Sequence, residues 1–268
     1  MAQNEQKTVI ITGGSSGIGL ELAKLFAMDG YRLILVAQPR VELENARAYL
    51  QRLYPKTEIL LKQIDLAKPL AANEVYAFTQ ERGLFVDVLV NCAGFGTFGF
   101  VNEIDLEKEL SMLQLHVCTL YHITRLYLSD MIKNDRGYII NLSSISAFQP
   151  NPNMATYGAS KSFVLNFSRA LNYELNERKS SVKILAVCPT AVKGTAFKKT
   201  ANMEGTNTFN TWMTTTATVV AQDTYKAMLC GKELLIPMRR FFIIHKIINM
   251  LPTKWLMNIA RGQLKEKC

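Results

Sequence analysis

The sequence predicts an α/β fold built on a doubly wound parallel sheet: one domain, residues 1–237, followed by a helical basic C-terminal extension, 238–268. Three observations carry this. Short β-branched apolar runs recur along the chain, longer stretches with helical spacing lie between them, and the alternation is almost unbroken. Alternation of that kind implies right-handed crossovers and a sheet covered by helices on both faces. The 268 residues, 49% hydrophobic and 20% charged, suffice for a large core and exclude a disordered chain.

In order, strands are expected at Thr8–Thr12, Arg32–Ala37, Glu58–Ile64, Val86–Asn91, Tyr138–Ser143, Val182–Val187 and Leu234–Pro237. Helices are expected at Gly19–Asp29, Val41–Tyr54, Ala72–Glu81, Glu107–Lys133, Tyr157–Glu177 and Thr216–Cys230. The 5 cysteines are odd in number, widely spaced and free of any C-x-x-C pair, so neither a disulfide framework nor a metal site is expected. No signal peptide is legible, and apolar runs stop short of the roughly 18 residues a spanning helix needs. A cytoplasmic location follows as the expectation.

The first expected strand ends in Thr12-Gly13-Gly14-Ser15-Ser16-Gly17-Ile18-Gly19 and passes into a helix. Glycines permit positive φ and close backbone approach, while the helix start offers N–H groups to an anion such as a pyrophosphate. The spacing is G-x-x-x-G-x-G rather than G-x-G-x-x-G, so the match is to the mechanism. After the second strand stand Gln38-Pro39-Arg40, with no carboxylate to repel a 2′-phosphate, so NADP is expected over NAD, with Gln38 and Arg40 as contacts. Asp65 either accepts from an adenine amino group or caps the following segment. Asn91-Cys92-Ala93-Gly94 lets the chain pass under a cofactor, with Asn91 free to brace the neighbouring strand and Ala93 and Gly94 as contacts. Finally, Ser144 ends a strand, and Tyr157 and Lys161 stand at i and i+4 on one helix face. A lysine ammonium, with a positive nicotinamide, favours the phenolate and makes Tyr157 an acid/base near neutral pH.

Together, Thr12-Gly13-x-x-x-Gly17-x-Gly19, Asn91-x-Ala93-Gly94, Ser144 and Tyr157-x-x-x-Lys161 resemble the classical short-chain dehydrogenase/reductase family, over Thr8 to about Pro237. In Leu33–Ala37, Leu110–Met131 and Phe148-Gln149-Pro150 the chain looks like a bacterial branch similar to 3-oxoacyl and 17β-hydroxysteroid reductases. The resemblance implies a Rossmann fold and hydride transfer between a nicotinamide cofactor and a carbonyl or alcohol. It gives Tyr157 the proton, Lys161 the lowering of its pKa and a bond to the nicotinamide ribose, and Ser144 the carbonyl. Thr12, Gly13, Ser15, Ser16, Gly17, Ile18 and Gly19 would line the pyrophosphate and ribose; Asp65, Asn91, Ala93, Gly94, Pro189, Val192 and Thr195 would complete the cofactor site.

Three departures stand out. Cys92 replaces a second asparagine, Thr190 replaces the glycine after Pro189, and His116 occupies the place of the family's tetrad asparagine. His116 either supports the relay itself, titrating near physiological pH, or marks slowed catalysis. The rival readings are therefore a dinucleotide-binding sensor that has lost turnover and a membrane-surface interaction protein on a redox scaffold.

The substrate wall is expected from Phe95–Phe100, Phe148–Met154 and Lys193–Thr215, whose Phe and Met content fits a small-molecule substrate with a bulky hydrophobic carbonyl or alcohol better than a sugar. From Lys226 onward, nine Lys/Arg against two Asp/Glu supply +7 of the total +9. That excess is interleaved with apolar residues over Met238–Lys265, which fits an interfacial helix, a pocket cap or a subunit contact rather than nucleic-acid binding. The family resemblance adds a homo-oligomer.

Overall fold

The computed structural model describes residues 6–212 and 214–238, together with 255 and 257. Its centre is a parallel sheet. The strands are β1 (Thr8–Thr12), β2 (Arg32–Ala37), β3 (Ile59–Gln63), β4 (Val88–Asn91), β5 (Tyr138–Leu142) and β6 (Lys183–Val187). A short pair, β7 (Val192–Lys193) and β8 (Thr215–Thr216), lies apart, and β9 (Leu234–Leu235) closes the edge. Among the described residues the sheet has seven strands in the order β3-β2-β1-β4-β5-β6-β9. The order reverses at β1, which pairs Val9 with Leu33 on one side and with Val88 on the other. In such sheets the crevice beyond the carboxyl ends of the strands at this reversal is where ligands bind.

Strand alternation builds the two layers. Val9 and Ile11 enter one core with Phe26 of α1 (Gly17–Met28), Leu43 of α2 (Arg40–Leu53) and Tyr225 of α8 (Ala217–Leu229). Ile10 enters the other, with Val75 of α3 (Ala71–Gln80), Tyr127 of α5 (Leu120–Lys133) and Leu175 of α6 (Ala155–Glu177). Each fully buried side chain of this size stabilises the fold by about 1.5–3 kcal/mol.

One expected element differs in kind. The continuous helix read over Glu107–Lys133 is α4 (Leu106–Leu113), a π-helical turn Gln114–Thr119, and then α5. Asp105 starts it, its carboxylate accepting from the Lys108 N–H at 2.7 Å. The π turn carries His116 and is held by Gln114 Nε2 donating to Thr119 Oγ1 at 3.2 Å and by Thr119 Oγ1 donating to Leu66 O at 2.8 Å. A four-residue helix, α7 (Phe197–Thr200), contributes Phe197 and Thr200 to the lining of the cleft beyond the sheet. Of the expected basic amphipathic extension, residues 239–254, 256 and 258–268 lie outside the described residues.

Candidate active site

The glycine-rich turn leaves β1 and meets the turn after β4. Thr12 joins them: its hydroxyl donates to Val90 O at 3.2 Å and accepts from the Cys92 and Ala93 N–H groups at 3.0 and 3.1 Å. Gly13 has φ +66°, and a Cβ there would sit 2.9 Å from Ala93 Cα; a Cβ on Gly19 would lie 2.2 Å from Gly13 O. The backbone is thus closed up to a degree only glycine allows. α1 begins without a side-chain cap and with no acid in its first turn. Its positive end stays open to an anion, and the residues present fit a dinucleotide pyrophosphate.

The chemistry-bearing side chains come from β5 and α6. Tyr157 and Lys161 are both buried, one helical turn apart. Lys161 Nζ donates to Leu142 O at 3.0 Å and stands 5.8 Å from the centre of the Tyr157 ring. The Lys161 carbonyl in turn accepts from Ser143 Oγ at 2.8 Å, locking α6 to the end of β5. Ser144 caps the short 3-10 turn Ile145–Phe148 by accepting from the Ser146 N–H at 3.1 Å, and its hydroxyl hydrogen-bonds Tyr157.

Burial pushes the Tyr157 phenol up to about 12, against the opposing hydrogen bond from Ser144. Burial also lowers Lys161 to about 8. The expectation of a phenolate near neutral pH counts a positive nicotinamide beside Lys161; in the chain by itself burial favours the neutral phenol. His116 departs from the expectation of titration near physiological pH: burial, reinforced by Lys161, takes it well below the usual histidine range, which favours the neutral ring.

A cleft of about 290 Å³ gathers most of the expected residues. Gly13, Ser16, Gly17 and Ile18 line it with Ala93, Gly94, Ser144, Tyr157, Lys161, Pro189, Val192 and Thr195. Other expected contacts are engaged within the fold. The Asn91 amide donates to Thr124 Oγ1 at 3.0 Å and to Asn141 Oδ1 at 2.8 Å, so it braces β4 against β5 and α5. Thr12 is the staple described above and Gly19 is packed on Gly13 O. Asp65 accepts from Ala67 N–H at 3.0 Å and Gln38 Nε2 at 3.3 Å, the turn-capping role of the two read from sequence. Ser15 Oγ donates to Glu42 at 3.2 Å, and Arg40 faces Glu44 at 3.8 Å, both away from the cleft lining.

The apolar wall beside Tyr157 comes from the three expected segments: Phe95, Met154, Phe197, Met203 and Phe209 line it. Sequence reasoning missed Leu142, Ile145 and Ser146, as well as Ala191, and treated Thr190 only as a departure. Their position follows strand ends and loops; Leu142 and Ile145 were legible only as neighbours of Ser144.

Residues 7–205 match the short chain dehydrogenase family. A 3-oxoacyl-[acyl-carrier-protein] reductase of Bos taurus is 33% identical over 180 residues, covering 67% of this chain and 74% of that protein. A short-chain dehydrogenase from Sphingobium yanoikuyae, solved in complex with NADPH, superposes with TM-score 0.79 at 26% identity over 96% of this chain and 94% of its own. A short chain dehydrogenase/reductase from Burkholderia phymatum, solved with NAD, gives TM-score 0.81 over 93% and 95% of the two chains; at 20% identity it shows the fold. With the glycine turn, the nicotinamide-type cradle and the Ser144, Tyr157, Lys161 group on these elements, the chain belongs to the short-chain dehydrogenase/reductase family of oxidoreductases.

Proposed function

We propose that this chain is an NADP-dependent reductase or dehydrogenase of a hydrophobic carbonyl or alcohol. One observation carries the reading: Ser144, Tyr157 and Lys161 meet in one cleft with Phe95, Phe197, Met203 and Phe209, and the Phe197 ring lies 5.3 Å from that of Tyr157. The cofactor supplies the hydride. The chain supplies everything else. The Ser144 hydroxyl orients the substrate oxygen, the protonated Tyr157 phenol donates to it in reduction and takes the proton back in oxidation, and Lys161 holds the ribose side. The apolar wall excludes water from that exchange and favours an acyl or ring-bearing ketone over a sugar.

NADP preference is supported by Arg40, a 74% exposed side chain whose 3.8 Å pairing with Glu44 a 2′-phosphate would compete for. Glu42, beside Ser15, is the opposing charge. A homo-oligomer is supported by the outer face of α4 to α6, where Leu110 and Tyr121 are exposed and Phe163 stacks on Phe167 at 5.5 Å. Free thiols at Cys92, Cys118, Cys188 and Cys230 fit a cytoplasmic setting. The 1–237 and 238–268 division stands as part of the same proposal, as does contact of the extension with an anionic membrane; no helix among the described residues is long and apolar enough to cross one.

The test is NADPH oxidation against matched panels of hydrophobic ketones, 3-oxoacyl thioesters and sugar aldehydes. Turnover confined to the first two supports the reading. Turnover only on the sugars would overturn the substrate class, and binding of NADPH without turnover anywhere would overturn the reductase.

A further inference from the structure

Asn151 lines the cleft from the loop between the 3-10 turn and α6, and the residue is only 8% exposed. Its amide is tied to the fold by one end. Nδ2 donates to Ser146 O at 2.7 Å and to Gln149 O at 2.6 Å, which spends both of its hydrogens. Against it lies Gly158, the residue after Tyr157, where a Cβ would fall 2.5 Å from Nδ2, so any larger residue would push the amide away. The orientation cannot invert, because a flipped amide would set its oxygen against two carbonyl oxygens.

Oδ1 is left over. Among the described residues no donor reaches it, and it is not one of the polar atoms sealed from solvent. In a side chain so deeply buried, the opening left to that oxygen is the cleft the residue lines. The reacting group is close by in the same network. Ser146, whose carbonyl holds the amide, donates its N–H to Ser144 Oγ at 3.1 Å, so the amide is two hydrogen bonds removed from the serine that orients the substrate oxygen.

We propose that Asn151 is a specificity-determining residue: Oδ1 accepts a hydrogen bond from a hydroxyl or N–H that the substrate carries beside its carbonyl. The preferred substrate is then a hydrophobic ketone with a donor on its α or β carbon. An analogue without the donor covers Oδ1 and leaves it unpaired, which is how a site built around a polar group rejects a ligand. The proposal rests on the reductase reading and narrows its substrate class.

Matched aryl ketones test it. Each α- or β-hydroxy ketone is run with NADPH beside its deoxy and O-methyl analogues, and each acylamino ketone beside its N-methyl analogue; the O-methyl and N-methyl members keep the electronic effect on the carbonyl and lose the donor. The native enzyme should favour the donor-bearing member by at least about tenfold in kcat/KM in the hydroxyl or the N–H series. A smaller ratio in both series would overturn the acceptor. Asn151→Ala should bring the ratio to within about twofold, since any general damage to the loop falls on all members of a series and cancels in the ratio. A variant with the native ratio would remove Asn151 from the account. A second measurement needs no variant: calorimetric binding of the same ketones to the native protein with NADP+, where no hydride can pass. The donor-bearing ketone should bind at least about tenfold tighter than its methylated partner, and a smaller difference would overturn the acceptor. Native protein inactive with every ketone would sink the reductase reading, and the binding ratios alone would then judge the acceptor.

Discussion

The two halves of the cleft are made from different materials. The cofactor half is backbone: Gly13 folds against Ala93 and Gly19 against Gly13 O so tightly that Cβ atoms on them would clash at 2.9 and 2.2 Å. The substrate half is side chain and loop. Phe197 closes over Gly96, where a Cβ would meet its ring at 2.6 Å, and α7 is tied to α4 by Lys108 Nζ donating to Thr200 O at 2.7 Å. The difference teaches where each half gets its specificity. A backbone cradle recognises the constant part of a ligand and tolerates no change, whereas a wall of Phe and Met from loops is shaped by volume and can be exchanged.

The largest expected effect lies where the halves meet. Tyr157→Phe removes only the phenolic hydroxyl, so turnover should fall by about 10²–10⁴-fold while NADPH binding stays within a few-fold. Stopped-flow and fluorescence titration separate the two; an active variant would remove Tyr157 as the donor. Within the cofactor half, Gly19→Ala forces a methyl into Gly13 O. It should cost about 1–3 kcal/mol of stability and weaken NADPH with it, read by urea unfolding and titration. A comparable loss of NADPH affinity from Phe197→Leu, in the other half, would erase the distinction.

Arg40→Ala should weaken NADPH by about tenfold and NADH hardly at all, as expected for loss of one charge-assisted contact. Equal loss for both would assign Arg40 to helix packing. The smallest effect is on stability. Burial holds Lys161 at about 8 against 10.5 for an ordinary lysine, so between those values the unfolded chain binds more protons than the native one. Stability from this group therefore rises with pH across that window, and below about pH 8 its penalty is fully present. Tyr157, pushed from 10.0 to about 12, acts the opposite way above pH 10. Lys161→Met should then gain about 1–2 kcal/mol at pH 7, with the gain shrinking toward pH 10.5, while turnover is lost. A variant less stable at pH 7 would mean that the bond to Leu142 O outweighs the burial of the charge.

Much of this was legible in the sequence because its causes are local. The strand alternation placed β1, β2, β5 and β6 within a residue of their observed ends, and the glycine spacing located the cradle. Roles decided by remote partners were not legible. For Asn91 a bracing role was open in the sequence beside a cofactor contact, and Asn141, 50 positions on, takes its amide. Thr12 reads as a ligand until its hydroxyl is found on Val90 O, 78 positions away. The π turn has no glycine or proline to announce it. It is held by Thr119 on Leu66 O, a contact only the finished fold supplies.

The central claim is that a preformed backbone cradle binds the cofactor and a buried, protonated Tyr157 does the acid/base work. Its most direct test is a single-turnover experiment with bound NADPH and a hydrophobic ketone, run in parallel on the native chain and Tyr157→Phe. The account predicts equal NADPH binding and hydride transfer in the native chain alone. Hydride transfer at matching rates in both would contradict it.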